Sequence, residues 1–283
     1  MSRPNADSLL APLTAALAVV SALLLAGMLG FLLVESWPAL ADGGWHHFAG
    51  LAWYPLENRF GLVAMLAATL AVAAGATLLA TPLGLASALF AQYYAPPSLA
   101  SPYRGLLALL AGIPSVVYGF WGLTELVPLI ARWQPPGASL LAACLILALM
   151  ILPTIALFAA AALSAVPRSL LDGAAALGMT RRSILLRVAI PAARRGIASG
   201  IVLGTVRALG ETMAVLMVAG NVVQLPAGLF DPVRVLTANI ALEMAYATGL
   251  HRAGLFVSGL ALALLVLTLA LAVARSNQRA MHA

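Results

Sequence analysis

The sequence predicts an all-α, polytopic membrane protein with about six transmembrane helices, from three observations. First, 63% of its residues are hydrophobic, only 8% are charged and the mean hydropathy is +1.03. A soluble domain is nearer one quarter charged and needs a polar surface that this chain cannot supply. Second, apolar runs of spanning length, about 20 residues, recur six times: 9–34, 61–90, 105–130, 138–166, 196–220 and 253–274. Third, the arginines fall mostly at the ends of these runs.

The first run is too long for a signal-peptide core and lacks a clear cleavage site, so it reads as an uncleaved anchor. With the external segment that follows, it forms a region 1–60. The third run is the most irregular, because Gly112, Pro114 and Gly119 interrupt it. With the N-terminus in the cytoplasm, one side carries Arg3, Arg104, Arg168, Arg181, Arg182, Arg187, Arg194, Arg195, Arg275 and Arg279. The other carries Arg59, Arg132, Arg234 and Arg252. That asymmetry is a positive-inside bias and places both termini in the cytoplasm. It also argues against nucleic acid as the partner of a basic chain, since the arginines mark segment ends rather than one face. Membrane lipid is the expected surrounding.

All fifteen basic residues are arginine. A G-x-x-x-x-G-K-[ST] phosphate loop and a lysine Schiff base are therefore excluded. The single cysteine, Cys144, lies in an apolar run; it forms no internal disulfide and reads as a small buried hydrophobe. No serine–histidine pairing, metal cluster or paired carboxylates stand at catalytic spacing, so no enzyme activity is expected.

Two external segments exceed simple connectors. "ESWPALADGGWHHFAGLAWYPLENRF", residues 35–60, gathers Trp37, Trp45, Trp53 and Tyr54, as membrane–water interfaces do. His46 and His47 lack partners at ligand spacing and read as interfacial, so no metal is expected. Residues 222–250 carry Thr237, Asn239 and Glu243 and read as partly re-entrant, which requires protein or water around the backbone. Glu125 and Glu243 are expected near the outer interface, where solvation alone accounts for them.

The loop "VPRSLLDGAAALGMTRRSILLRVAIPAARR", residues 166–195, is too polar for lipid and too patterned for disorder. Leu170, Leu171, Ala174, Leu177 and Gly178 recur at helical spacing, Gly178 can end that helix, and Ile184, Leu185 and Val188 resume the pattern. Two short helices joined at a glycine are expected. An interfacial hairpin held by anionic headgroups would account for the arginines alone.

This loop resembles the coupling loop of binding-protein-dependent ABC importer permeases, the EAA---G---------I-LP motif. Asp172 stands for the acid, followed by Gly173 and Ala174; Gly178 is the glycine, Val188 the aliphatic position, and Ile190–Pro191 the ending. Asp for Glu and Gly for the first Ala are departures at intact spacing. "IPSVVYG" (113–119) and "ALGETMAV" (208–215) further resemble the phosphate-importing permeases of that family, over about residues 54–274. The methionine after "ALGET" favours one of the two sister permeases of such an importer.

The resemblance implies a type I ABC importer permease fold over 61–274, with the coupling loop at 167–195 and a cytoplasmic tail at 275–283. It implies a sister permease subunit, two ATPase subunits holding ATP and Mg, and a periplasmic phosphate-binding protein, in a bacterial inner membrane. No cofactor is then bound by this chain itself. A permease for molybdate, sulfate or phosphonate, and an ion-coupled secondary transporter, are the alternatives.

Gly196, Gly200 and Gly204 form a ladder at every fourth position, where a neighbouring helix can approach closely. At about 100° per residue, Arg207 and Glu211 lie near the same face. Arg207 follows Gly196 by roughly 16 Å of helix, near the middle of a ~30 Å core. Three readings fit the pair: a self-neutralising i, i+4 salt bridge, a proton relay, or an anion pathway. The first stabilises poorly in lipid, and no further acid or histidine extends the second. The third is favoured, since a guanidinium presents planar donors suited to phosphate and stays charged. Thr212, Asn221, Ser115 and Tyr118 are secondary pathway candidates, with helix packing as the competing role.

Overall fold

The computed structural model describes residues 6–279. Arg3 and the last four residues of the predicted tail lie outside the described residues. Twelve α-helices are described: α1 Ala6–Gly43, α2 Val63–Leu89, α3 Pro97–Gly112, α4 Ser115–Trp121, α5 Val127–Ala131, α6 Leu140–Ser164, α7 Arg168–Ala176, α8 Arg181–Ile184, α9 Ile190–Leu209, α10 Met213–Val218, α11 Leu236–Glu243 and α12 Gly249–Arg279. The described strands are β1 Trp53–Tyr54 and β2 Arg59–Phe60, an antiparallel pair with Trp53 opposite Phe60. Four helices are long and apolar enough to cross a membrane alone: α1, α2, α6 and α12.

Among the described residues the predicted third span is a bent pair of helices, which brings the count to five rather than six, and the predicted fifth is an interrupted segment outside that count. Proline disfavours the helical conformation in the residue before it. Ile113, preceding Pro114, is accordingly extended (φ −64°, ψ 130°), so α3 stops at Gly112 and the chain turns by 87° into α4 and α5. A π-helical turn over Gly122–Leu126 joins those two. The fifth segment ends its helix at Leu209, and Glu211–Thr212 form a gap before α10.

Helix α6 is the central column, with 72% of its apolar window buried. It packs against α2, α9 and α3. The apolar window of α1 is 0% buried, because this helix packs mainly along α12, where Phe31 and Phe256 meet edge to face at 5.6 Å. Its apolar surface is left to lipid, which is why an all-round hydrophobic helix is stable there.

Two further clusters define the ends of the bundle. At one end Trp53, Phe60, Phe48, Leu62 and Met65 pack with Leu236, Ala253 and Leu255, holding the β-hairpin against α2, α11 and α12. At the other, Ala88, Leu163, Leu185, Ala189 and Ile197 anchor the loop between α6 and α9.

Candidate functional site

The two broken segments meet. A Cβ placed on Gly119 of α4 would stand 2.8 Å from Ala214 Cα of α10, and one on Gly122 would stand 2.9 Å from Val218. The gap between α9 and α10 is held from within the chain: Glu211 turns its carboxylate onto α10, where Oε1 accepts from the Ala214 N–H at 3.1 Å. Free N–H groups at the start of a helix favour such a partner. Its backbone carbonyl accepts from Thr237 Oγ1 of α11 at 2.8 Å.

Arg207 lies in the last turn of α9 and crosses to the broken third segment. Its Nη1 and Nη2 donate to the Ala111 carbonyl at 3.5 and 3.4 Å, and Nη1 also to Thr154 Oγ1 of α6 at 3.2 Å. A cation at a helix C-terminus is electrostatically favoured. The Tyr118 hydroxyl donates to the neighbouring Leu110 carbonyl at 2.8 Å, so both side chains serve the exposed end of α3. No ion pair joins Arg207 to Glu211 or to any other described carboxylate. The self-neutralising bridge is corrected here: an i, i+4 bridge needs a continuous helix, and this one stops at Leu209. Arg207 thus keeps its positive charge beside two helix ends, on hydrogen bonds that are long for a guanidinium.

The glycine ladder runs along α6. Cβ atoms on Gly196, Gly200 and Gly204 would stand 2.4 Å from Ala162 Cβ, 2.6 Å from Phe158 Cβ and 2.9 Å from Ile155 Cγ1. This close approach brings Arg207 within reach of Thr154, a residue not singled out in the sequence; its signal is a hydroxyl after Pro153 in an otherwise apolar helix.

The secondary candidates divide. Ser115 opens α4 at the break, and Thr212 lies in the gap. Asn221 belongs elsewhere: with φ at +57° its Nδ2 donates to the Leu216 carbonyl at 2.7 Å, closing α10. Asparagine tolerates this left-handed conformation better than most residues.

The loop between α6 and α9 is the expected pair of short helices. Gly178 has φ +77°, and the Met179 N–H reaches back to the Ala174 carbonyl at 3.2 Å, a glycine-based helix ending. Thr180 caps α8 through Ser183 N–H. Asp172 and Gly173 are exposed, whereas Ala174 is buried. Asp172 borders a cleft of about 370 Å³ with Tyr93 and Arg181, and Arg181 donates to the Tyr93 carbonyl and lies 4.6 Å above the Tyr94 ring. Val188 sits in the π-helical turn that follows, and Pro191 is the second residue of α9, which continues directly from that turn. Leu177 stands 84% exposed at the tip.

Glu243 departs from expectation. It is 8% exposed, so solvation does not account for it. Arg234 Nη1 approaches Oε1 at 2.7 Å, while Trp53 Nε1 and His251 Nε2 approach Oε2 at 2.8 Å each. Arg234 and His251 stand 9 and 8 residues from Glu243 in the chain, but Trp53 stands 190 residues away, a separation that no local spacing reveals.

Residues 80–282 match the family model described as "Binding-protein-dependent transport system inner membrane component". This chain belongs to that family. Among its relatives, the phosphate transport system permease protein PstC of Mesorhizobium japonicum is 35% identical over 95% of this chain and 89% of its own length. PstC of Haemophilus influenzae is 34% identical over 90% and 88%. The probable ABC transporter permease protein YqgH of Bacillus subtilis is 42% identical over 70% and 65%. The fold is also that of a subunit in the inward-facing MetNI methionine ABC transporter, with a TM-score of 0.64, 18% identity, and 81% and 99% of the two chains covered. A bacterial alginate ABC transporter subunit gives 0.60 at 17% identity, covering 92% and 95%. The family is one of multi-pass membrane permeases, and the apolar helices agree with that.

Proposed function

We propose that this chain is the membrane-spanning permease subunit of an ATP-driven ABC importer that moves inorganic phosphate across the bacterial inner membrane. The observation that carries the reading is Arg207, a permanent cation with no carboxylate partner among the described residues, placed where two broken helices meet. Broken helices at a membrane site are how transporters expose polar backbone to a ligand. Phosphate supplies the charge that Ala111 and Thr154 do not, and a guanidinium fork fits two of its oxygens. The relatives named for phosphate transport support the choice of anion.

In this reading the hairpin end faces outside, the loop carrying Gly178 faces inside, and both termini are cytoplasmic. The partners are a sister permease, a phosphate-binding protein outside and two ATPase subunits inside. ATP and Mg belong to those ATPases; Asp172, Gly173, Ala174, Gly178, Val188 and Pro191 shape the loop that docks on them. Closure of the ATPases moves α7 and α8, and α9 carries that motion to Arg207.

The test is phosphate uptake by the complete complex in vesicles, with sulfate and molybdate as competitors. Arg207→Gln is expected to lower uptake by at least about 100-fold, the scale of a lost charged contact of about 3 kcal/mol, while the complex still assembles. Unchanged uptake in that variant would remove Arg207 from the pathway. Stronger competition by molybdate than by unlabelled phosphate would overturn the substrate.

A further inference from the structure

The cluster at Glu243 takes no part in the pathway described above. Three donors from three different elements converge on one carboxylate: Trp53 of β1, Arg234 of the loop before α11, and His251 of α12. Bulk adhesion does not require it, because Trp53 already packs edge to face on Phe60 at 5.6 Å within a buried apolar cluster. A buried carboxylate is costly unless charge and hydrogen bonds offset its desolvation. What it adds is direction: it holds the hairpin to α11 in one register.

The other end of α11 supplies the second observation. Thr237 Oγ1 donates to the Glu211 carbonyl at 2.8 Å, inside the gap between α9 and α10. Six residues separate Thr237 from Glu243, about 9 Å of helix. Arg234, bound to the same carboxylate, also donates from Nε to the Asn221 carbonyl at 2.9 Å, just past α10. Both ends of α10 are thus tied to one rigid piece whose far end holds the hairpin. The tip of that hairpin is free: Leu56 is 102% and Tyr54 56% exposed.

We propose that Glu243 is a positioning residue that transmits contact on the external hairpin, made by the solute-binding protein, to the gap beside Arg207. The inference rests on the importer reading above. Load on the hairpin moves Trp53, Trp53 pulls on Glu243, and α11 shifts Glu211 and the start of α10. The residues form one connected path from hairpin to gap, through the Trp53–Glu243 hydrogen bond, the body of α11 and the Thr237–Glu211 hydrogen bond.

The experiment uses the complex with its companion subunits in lipid nanodiscs. ATP hydrolysis is measured alone and with the binding protein plus inorganic phosphate, for the wild type, Glu243→Gln and Trp53→Phe. The second variant keeps an aromatic ring and removes the N–H. Both are expected to lower the ratio of stimulated to basal hydrolysis by about three- to tenfold, with basal hydrolysis and assembly kept. An unchanged ratio in both variants overturns the proposal. Basal and stimulated rates falling together with assembly, in Trp53→Phe as in Glu243→Gln, also overturns it and assigns the cluster to folding. Lack of stimulation in the wild type overturns the importer reading and this inference with it. Normal wild-type stimulation with unchanged variants overturns the inference alone.

Discussion

At the scale of single residues, position within a helix decides what an arginine or a glycine does here. Arg207 and Glu211 are four apart, yet the chain stops being helical between them, so one caps α3 while the other caps α10. Their separation leaves Arg207 without an ion-pair partner among the described carboxylates. Glycines are equally positional. Gly200 allows α6 to approach so closely that an added Cβ would stand 2.6 Å from Phe158 Cβ, an atom too near its backbone to move aside. Gly200→Val is therefore expected to destabilise the protein by about 1–3 kcal/mol through overpacking. A Cβ at Gly105 meets nothing within 4 Å in this chain, so Gly105→Ala in α3 should be neutral or slightly stabilising. Thermal inactivation of the purified complex compares the two, and equal midpoints would sink the packing argument.

At the scale of elements, the decisive features are places where helices stop. α3 ends because a proline follows Ile113, and α7 ends because Gly178 takes φ +77°. A Cβ at Gly178 has open space around it, so the strain of a substitution is conformational alone. Gly178→Val is expected to cost roughly 1–2 kcal/mol locally and to redirect α8. Hydrolysis by the partner ATPases should then proceed with uptake reduced by about tenfold or more. Gly178→Asn, which tolerates the left-handed conformation, should retain most uptake. Measuring both activities in one preparation separates lost docking from lost folding; identical coupling in the Val variant would count against the loop's role.

At the scale of the whole molecule, two polar ends are separated by an apolar bundle, and the proposed topology puts the hairpin outside and the α7–α8 loop inside. Cys144 is 4% exposed, so Cys144→Ala leaves a chain free of cysteine. In that background Leu56→Cys should react with a membrane-impermeant maleimide in intact cells, and Leu177→Cys only after the membrane is opened. The reverse pattern would invert the topology.

The apolar runs, the break near Pro114, the two-helix loop at Gly178 and the glycine ladder were all legible in the chain, because each depends on composition or on neighbours within a turn or two. The same local logic misread Glu211 and Glu243. Whether two charges pair depends on where a helix ends, and whether an acid is solvated depends on what packs over it. Trp53 lies 190 residues before Glu243, and Thr154 lies 53 before Arg207. Sequence alone therefore determined that this protein is a helical membrane protein, through hydrophobicity and local spacing, while the permease reading came from the motifs by which it resembles a known family. Only the tertiary structure decided the partners of its buried charges, because burial and hydrogen bonding are made by residues that meet through folding.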